Sequence, residues 1–166
     1  PQAGHYCKDT YSHTLLLESG IFSFIGLIGE ERMNHLSKAR RVIQLEIDEL
    51  DNLLGRIGEE FSDAIELLRT AIAADKKIIV VGIGKSHNIG HKIAATLNST
   101  GATAVVLNSQ NALHGDLGVV CDGDVILVLS YSGEPPELLE LLPALRRFKV
   151  MVISMTGEPG SSLARN

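Results

Sequence analysis

Two short polar turns carry the residues whose chemistry could hold an anion. Residues 82–86 read Gly-Ile-Gly-Lys-Ser, and residues 130–133 read Ser-Tyr-Ser-Gly. Each turn follows an apolar run and precedes a helical pattern, so that hydroxyls, backbone N–H groups and the positive end of a helix dipole would converge there. These groups are the chemistry of a phosphate pocket. For residues 130–133 taken alone, an ordinary turn with a helix N-cap remains an open alternative.

The Gly-Lys-Ser sequence does not complete either of the common nucleotide-binding motifs. The phosphate loop of NTPases requires a glycine five residues before Gly84, where this chain has Ile79. The dinucleotide fingerprint requires its third glycine where this chain has His87. The turn therefore predicts Lys85 beside an anion or a carbonyl oxygen, with a solvated surface lysine as the alternative.

Three histidines and one glutamate could also carry chemistry. His87 and His91 have the spacing of a two-histidine metal site, but no third ligand is evident, so that we predict surface histidines and no metal. His114, in the run Leu-His-Gly-Asp-Leu-Gly, could act as acid, base or hydrogen-bond donor, or cap a turn through Asp116. Glu137 falls in the first turn of a predicted helix, where the dipole alone favours a carboxylate.

Alternating strand and helix patterns must position these residues. Predicted strands cover residues 78–81, 103–107, 124–129 and 150–154, and their nearly unbroken apolar character is typical of a parallel sheet covered on both faces. The predicted fold is α/β, a three-layer parallel sheet in the flavodoxin-like order 2-1-3-4. Ligands bind such sheets where the strand order reverses, here between the first and third strands. Lys85 and the hydroxyls of Ser130 and Ser132 are therefore predicted to share one cleft.

Two amphipathic helices are predicted before the first strand. The first starts at Ser37, and the second ends near Ala74. Both carry apolar residues at spacings of three and four, which predicts core packing for most of them, or a hairpin that covers the sheet or another subunit. These residues are Ile43, Ile47, Leu50, Leu54 and Ile57, followed by Phe61, Ile65, Leu68 and Ile72. Residues 108–118, which contain His114, are predicted to form a loop.

Length and charge limit the classes of function. The 166 residues are enough for one domain with a core, and a net charge of -5 with a pI near 5.7 argues against nucleic acid as the main partner. No segment is apolar for long enough to cross a membrane, and only two cysteines fit a reducing cytoplasm. Residues 1–32 show no clear period and are predicted to be an N-terminal extension, non-native or poorly ordered, before a domain at 33–166.

Four segments together resemble a known family. They are residues 84–86 (Gly-Lys-Ser), 92–101, 114–118 (His-Gly-Asp-Leu-Gly) and 130–134 (Ser-Tyr-Ser-Gly-Glu). In this order and spacing they are similar to the sugar isomerase (SIS) domain, over residues 33–166. More narrowly, they resemble the arabinose 5-phosphate isomerases of bacterial 3-deoxy-manno-octulosonate and capsule synthesis.

The resemblance implies an activity and a set of residues. It implies interconversion of D-arabinose 5-phosphate and D-ribulose 5-phosphate through an enediolate, without a redox cofactor, by a cytoplasmic homo-oligomer. Lys85, Glu137 and His114 match catalytic or substrate-side positions, and the identity of the general base stays open. The substrate-binding positions that it implies are Gly84, Ser86, Gly101, Ala102, Asn108, Ser130, Ser132, Gly133 and Glu134.

Two departures from the family pattern shape the expectations. Some relatives have a histidine able to bind zinc where this chain has Asn108, so that no metal site is expected. The family continues with a fifth strand, further helices and usually a pair of CBS domains, so that residues 33–166 are expected to be a truncated SIS domain whose last strand is a sheet edge. A sugar-phosphate sensor without catalysis and an isomerase of hexulose or heptose phosphates remain alternatives.

Overall fold

The computed structural model describes residues 16–18, 21–23, 30–113 and 115–166, and it divides into two compact units, Pro1–Arg56 and Ile57–Asn166. In the first unit, β1 (Leu16–Glu18) pairs with β2 (Ile21–Ser23) antiparallel, and α1 spans Glu30–Leu54. The predicted extension over 1–32 falls largely outside the described residues and stays a prediction.

Helix α1 starts earlier than Ser37, where the sequence pattern placed it. The apolar stripe of α1 is exposed, so that the prediction of core packing is wrong for these side chains. Amphipathic spacing requires that a face be covered but does not say what covers it.

The second unit alternates helices and strands, as predicted. Its elements are α2 (Glu59–Ala73), β3 (Ile78–Gly82), α3 (Lys85–Ser99), β4 (Ala104–Asn108), α4 (Ser109–Leu113), a 3₁₀ helix (Asp116–Val119), β5 (Val125–Leu129), α5 (Pro136–Leu145), β6 (Met151–Met155) and α6 (Ser162–Arg165). The two short helices α4 and Asp116–Val119 lie where a loop was predicted. Asn108 explains the start of α4, because its Oδ1 accepts hydrogen bonds from the backbone N–H groups of Gln110 and Asn111.

The four strands form a parallel sheet in the order β4-β3-β5-β6, which confirms the predicted order 2-1-3-4. The register aligns the last residues of the strands: Gly82 lies beside Asn108 on one side and Leu129 on the other, and Leu129 lies beside Met155. The turns that follow all four strands therefore emerge at one edge of the sheet, about 5 Å apart from strand to strand.

The core lies on both faces of the sheet. Strands β3 and β5 are fully buried, and alternate residues point to opposite faces. On one face, Ile79 and Val81 pack in a cluster with the leucines of α5; on the other, Ile78 and Val80 pack in a cluster with Ala94 of α3. The predicted three-layer α/β architecture is confirmed.

A buried ion pair joins the opposite, amino-terminal edge of the sheet. Asp124 is fully buried, its Oδ2 lies 3.0 Å from Lys77 Nζ, and its two oxygens accept hydrogen bonds from the backbone N–H groups of Lys77 and Cys121. Burial of this carboxylate raises its pKa, but the two backbone N–H donors and the Lys77 cation outweigh burial, and the net pKa is lowered. The pair ties the chain before β3 to the chain before β5.

Candidate functional site

The turn between β3 and α3 is built by two glycines with different tasks. Gly84, at φ +55°, precedes α3 as its N-cap and provides no side-chain cap. A Cβ at Gly82 would lie 2.8 Å from the carbonyl carbon of Ser86 and 2.9 Å from the backbone nitrogen of His87. Only glycine therefore lets the first turn of α3 close against the end of β3, which places Lys85 at the first position of the helix.

A cleft of about 520 Å³ opens at this helix start. It lies at the carboxyl ends of β3 and β4, and its lining residues are Gly82, Ile83, Gly84, Lys85, His87, Asn88, Asn108, Ser109 and Gln110. The partial positive charge at the start of α3 and the Lys85 cation both favour negative charge here. The cleft is therefore suited to an anionic or strongly polarised oxygen.

Two side chains in the cleft have buried polar atoms without a hydrogen-bond partner. They are Ser109, only 1% exposed, through its Oγ, and the half-buried His87, through its Nδ1; no other buried side-chain nitrogen or oxygen in the part of the chain described here lacks one. The Nε2 of His87 lies 3.1 Å from the Nε2 of His91, with the two rings edge to face. His87 is thus a half-buried residue that lines the cleft.

The Ser-Tyr-Ser-Gly turn follows β5, and its hydroxyls bond within the turn. The buried Ser130 accepts a hydrogen bond from the backbone N–H of Gly133 at 3.0 Å, and Ser132 accepts one from Glu134 at 3.5 Å. Gly133 has φ +65°, which L side chains rarely adopt. The turn therefore has the internal hydrogen bonds of an ordinary Ser/Gly turn, which was the alternative to a phosphate pocket, but no side chain caps α5, whose N-cap is Pro135.

The residues around α6 close over the same turn. The backbone N–H of Leu163 donates to the Gly133 carbonyl at 3.0 Å, and that of Ser162 donates to Glu134 Oε1 at 2.7 Å. A Cβ at Gly133 would overlap the Ser161 side chain. The hydrogen bond from Ser162 lowers the pKa of the Glu134 carboxyl, with a smaller contribution from Arg165. Glu134, predicted to bind substrate, holds α6 in this structure.

The structure brings only some of the predicted site residues together. Gly84, Lys85 and Asn108 line the cleft. Ser86 lies beside them in the first turn of α3, and Glu137 lies in the first turn of α5 beyond the second turn. His114 lies outside the described residues. Ser130, Ser132, Gly133 and Glu134 reach the same edge of the sheet but not the lining of this cleft, because it opens on the β4 side of β3 and β5 lies on the other side.

Gly101 and Ala102 lie at the other edge of the sheet. They follow the end of α3, whose 15 residues run about 22 Å back from the cleft. The backbone N–H of Gly101 donates to the Asn98 carbonyl, and that of Ala102 donates to the Leu97 carbonyl. Their observed task is to end the helix, so that their predicted part in substrate binding has no support from this position.

Sequence reasoning missed four residues of the cleft: His87 as a lining residue, Asn88, Ser109 and Gln110. A signal existed for two of them, because Ser109 and Gln110 directly follow β4, and polar residues after a parallel strand lie at the binding edge. Among the described residues, no group of three or more His, Cys, Asp or Glu side chains could hold a metal ion.

Residues 71–166 match the sequence model of the family described as SIS domain. The arabinose 5-phosphate isomerase KdsD of Pseudomonas aeruginosa is 44% identical over 135 residues, which cover 81% of this chain and 40% of the relative. The arabinose 5-phosphate isomerase GutQ of Salmonella typhi is 44% identical over 130 residues, 78% of this chain and 40% of the relative. This chain thus spans about two fifths of these relatives.

The fold also matches a solved structure, that of Escherichia coli CFT073 c3406 in complex with arabinose 5-phosphate. The TM-score is 0.73 at 33% sequence identity, and the match covers 83% of this chain and 71% of that one. None of the helices in the described part of the chain combines the length and the apolar character that a membrane span requires.

Proposed function

Because this chain belongs to the SIS domain family, we propose that it catalyses the interconversion of D-arabinose 5-phosphate and D-ribulose 5-phosphate. The observation that carries the proposal is the position of Lys85, at the first residue of α3 in the cleft at the carboxyl edge of the sheet. The names of the KdsD and GutQ relatives, at 44% identity, support this choice of substrate.

The reaction moves one proton between neighbouring carbons. A base removes the proton from C2 of the open-chain aldose, the C–H electron pair forms a C1–C2 double bond, and the carbonyl oxygen becomes an enediolate oxygen. Transfer of the proton of the C2 hydroxyl to the C1 oxygen, together with return of a proton to C1, gives the ketose, and no external oxidant is needed. The enediolate is the intermediate with the most negative charge on oxygen. A fixed cation beside that oxygen therefore lowers the barrier to its formation.

Lys85 is the group in this chain with the charge and position for that task. Its ammonium would stand beside the reacting oxygen, with the start of α3 adding the partial positive charge of its N–H groups. Asn108 Nδ2 would donate to a substrate oxygen, because Asn108 Oδ1 is the atom that caps α4. Gly84 and Ser86 belong to the same turn, and we propose that they also bind the substrate.

The general base and the phosphate-binding turn are assigned to the remaining predicted site residues. Glu137, half-buried in the first turn of α5, and His114 are the two candidates for the base. Ser130, Ser132, Gly133 and Glu134 are proposed to hold the phosphate, which requires the turn to exchange internal hydrogen bonds for bonds to the ligand. We further propose that the protein acts in the cytoplasm as a homo-oligomer.

The test is turnover by the native polypeptide that contains residues 1–166. Formation of ribulose 5-phosphate from arabinose 5-phosphate is followed with the wild type, Lys85→Met and Lys92→Met. Lys92 is exposed on α3 and does not line the cleft, so that Lys92→Met keeps wild-type rates. Lys85→Met is expected to lose at least about 100-fold in kcat, the range for removing one group that stabilises an oxyanion, with unchanged thermal stability.

Binding without turnover would contradict the proposal and identify a sugar-phosphate sensor. The same assay with hexulose and heptose phosphates separates a related isomerase, because it would turn over one of those substrates faster than arabinose 5-phosphate. Equal rates for Lys85→Met and Lys92→Met would remove Lys85 from the mechanism.

A further inference from the structure

The described residues include two buried side-chain atoms without a hydrogen-bond partner, and both belong to residues that line the cleft. His87 Nδ1 and Ser109 Oγ come from different elements, the first turn of α3 and the start of α4, and both residues line the same cleft. A buried polar group without a hydrogen bond destabilises a protein, and native structures hold few of them. Both atoms are shielded from solvent in the free protein, so that rotation of the two side chains toward the cleft would let a bound ligand complete their hydrogen bonds.

The contact between the histidines makes the role of His87 Nδ1 depend on a tautomer. In a hydrogen bond between two Nε2 atoms 3.1 Å apart, one nitrogen carries the proton and the other accepts it. If His91 donates, then His87 carries its proton on Nδ1 and can donate to a ligand. If His87 donates, then its Nδ1 is an acceptor. The Ser109 hydroxyl can donate or accept in either case.

A ligand hydroxyl fits this pair of atoms under both tautomers, because it also donates and accepts. A phosphate oxygen only accepts and would fit one tautomer. We propose that His87 Nδ1 and Ser109 Oγ form a subsite for a sugar hydroxyl, so that these two residues determine which sugar phosphates bind. The inference rests on the proposed function, in which Lys85 of the same cleft contacts the reacting oxygen, and the subsite takes a hydroxyl on a neighbouring carbon.

Ser109→Ala tests the subsite by separating stability from binding. It removes a hydroxyl that has no partner in the free protein, so that the melting temperature should be unchanged or higher, whereas a structural hydroxyl would lower it. The Kd for D-arabinose 5-phosphate, measured by titration calorimetry, should rise about 5- to 150-fold, the effect of losing one ligand hydrogen bond. Ser99→Ala is the matched control, because Ser99 is exposed at the far end of α3, and its Kd should not change.

Two substitutions of His87 separate its nitrogens. An asparagine amide reaches the position of Nδ1, and a glutamine amide reaches that of Nε2. His87→Asn should therefore keep most of the affinity for D-arabinose 5-phosphate, and His87→Gln should lose as much as Ser109→Ala. Equal affinities for both variants, or a lower melting temperature for Ser109→Ala with an unchanged Kd, would overturn the subsite.

Inorganic phosphate identifies the ligand group. Its Kd should be the same for wild type and Ser109→Ala, and an equal loss for phosphate and sugar phosphate would overturn the hydroxyl assignment. Calorimetry measures binding and does not require turnover. A protein that binds D-arabinose 5-phosphate without converting it therefore overturns the proposed function alone. A wild-type protein that turns over arabinose 5-phosphate with unchanged Kd and KM in Ser109→Ala overturns the subsite alone.

Discussion

At the scale of single residues, Gly82 shapes the site because it has no side chain. The close approach of residue 82 to the backbone of Ser86 and His87 lets α3 begin immediately after β3, with Lys85 at its first position. Because the atoms in the way belong to backbone, they cannot rotate aside as a flexible side chain would. The position of Lys85 is therefore sensitive to one methyl group.

Gly82→Ala should lower the free energy of unfolding by about 1–3 kcal/mol, the usual cost of overpacking. It should also lower kcat/KM at least about tenfold, because small displacements of a catalytic group are costly. Urea unfolding and the isomerase assay measure the two effects. Gly160→Ala is the control, since a Cβ there meets nothing within 4 Å, and its change in stability should stay within about 0.5 kcal/mol. Wild-type stability in Gly82→Ala would contradict this explanation.

At the scale of elements, one hydrogen-bonded connection lies at each edge of the sheet. At the carboxyl edge, the exposed Glu134 carboxylate and the Gly133 carbonyl hold α6 to the turn after β5. At the amino edge, the buried Asp124 and Lys77 hold β3 to β5. The first connection lies in solvent and at the proposed phosphate turn, and the second lies in the core. We expect the first to open readily and the second to contribute to global stability.

Glu134→Ala should increase amide hydrogen exchange at Ser162, whose N–H donates to this carboxylate. The folded pKa of Glu134 lies below its ordinary value of 4.5, so that the contribution of the bond is fully present above about pH 4.5 and is lost as pH falls through the lowered pKa. Protection of the Ser162 amide from exchange, measured by NMR, should decrease in the wild type as pH falls below about 4.5. In Glu134→Ala this protection should be low at every pH. Glu140→Ala, on α5 and exposed, should behave as wild type; if it also exposes Ser162, α5 and not Glu134 holds the helix.

Asp124→Asn should lower the free energy of unfolding by about 3 kcal/mol at neutral pH, because breaking a buried pair leaves the partner without compensation. The folded pKa of Asp124 lies below its ordinary 3.8, so that its contribution is present above pH 3.8 and is lost as pH falls through the lowered value. The folded pKa of Lys77 is raised above 10.5, mainly by its hydrogen bond to Asp124, so that its contribution is present below pH 10.5 and is lost as pH rises through the raised value.

The stability difference between wild type and Asp124→Asn should thus be largest between these limits and narrow on both sides. Denaturant unfolding from pH 3 to pH 11 measures it. Asp63→Asn, on the exposed surface of α2, should show no such dependence. A constant difference across the range would show that the charge of Asp124 does not matter.

At the scale of the whole molecule, the exposed apolar stripe of α1 bears on self-association. Ile43, Ile47, Leu50 and Leu54 share one face of the helix by their spacing, and all four are exposed, Leu50 by 64%. Monomeric proteins rarely expose such a continuous apolar surface. A second copy of the chain on this stripe is the form of self-association that we propose.

Leu50→Glu should therefore dissociate the proposed homo-oligomer, seen as a lower sedimentation coefficient at micromolar protein. Asn52→Glu is the matched control. It introduces the same charge two residues away, on the opposite face of α1 by the 100° rotation per residue, and should sediment as wild type. Equal sedimentation of Leu50→Glu and wild type would place the interface elsewhere.

Local patterns were enough to predict the fold. Each buried strand is a short, nearly continuous apolar run, each turn has its glycines or serines, and short right-handed crossovers leave few possible strand orders. The strands predicted at 78–81 and 124–129 are therefore present, within one residue, as Ile78–Gly82 and Val125–Leu129, and the predicted edge of the sheet carries Lys85. These properties depend on contacts between residues close in sequence, or on rules of chain geometry.

Only the tertiary structure decided which side chains meet in the cleft. Residue patterns gave no reason to separate Ser130 from Lys85, or to join His87 to Ser109, because both questions depend on which side of β3 the cleft opens. Nor do they show that the hydroxyl of Ser130 is already bonded while that of Ser109 is not. A difference of a few tenths of an ångström in the donor–acceptor distance decides whether two groups form a hydrogen bond. When the groups come from distant parts of the chain, the order of residue types does not specify that distance.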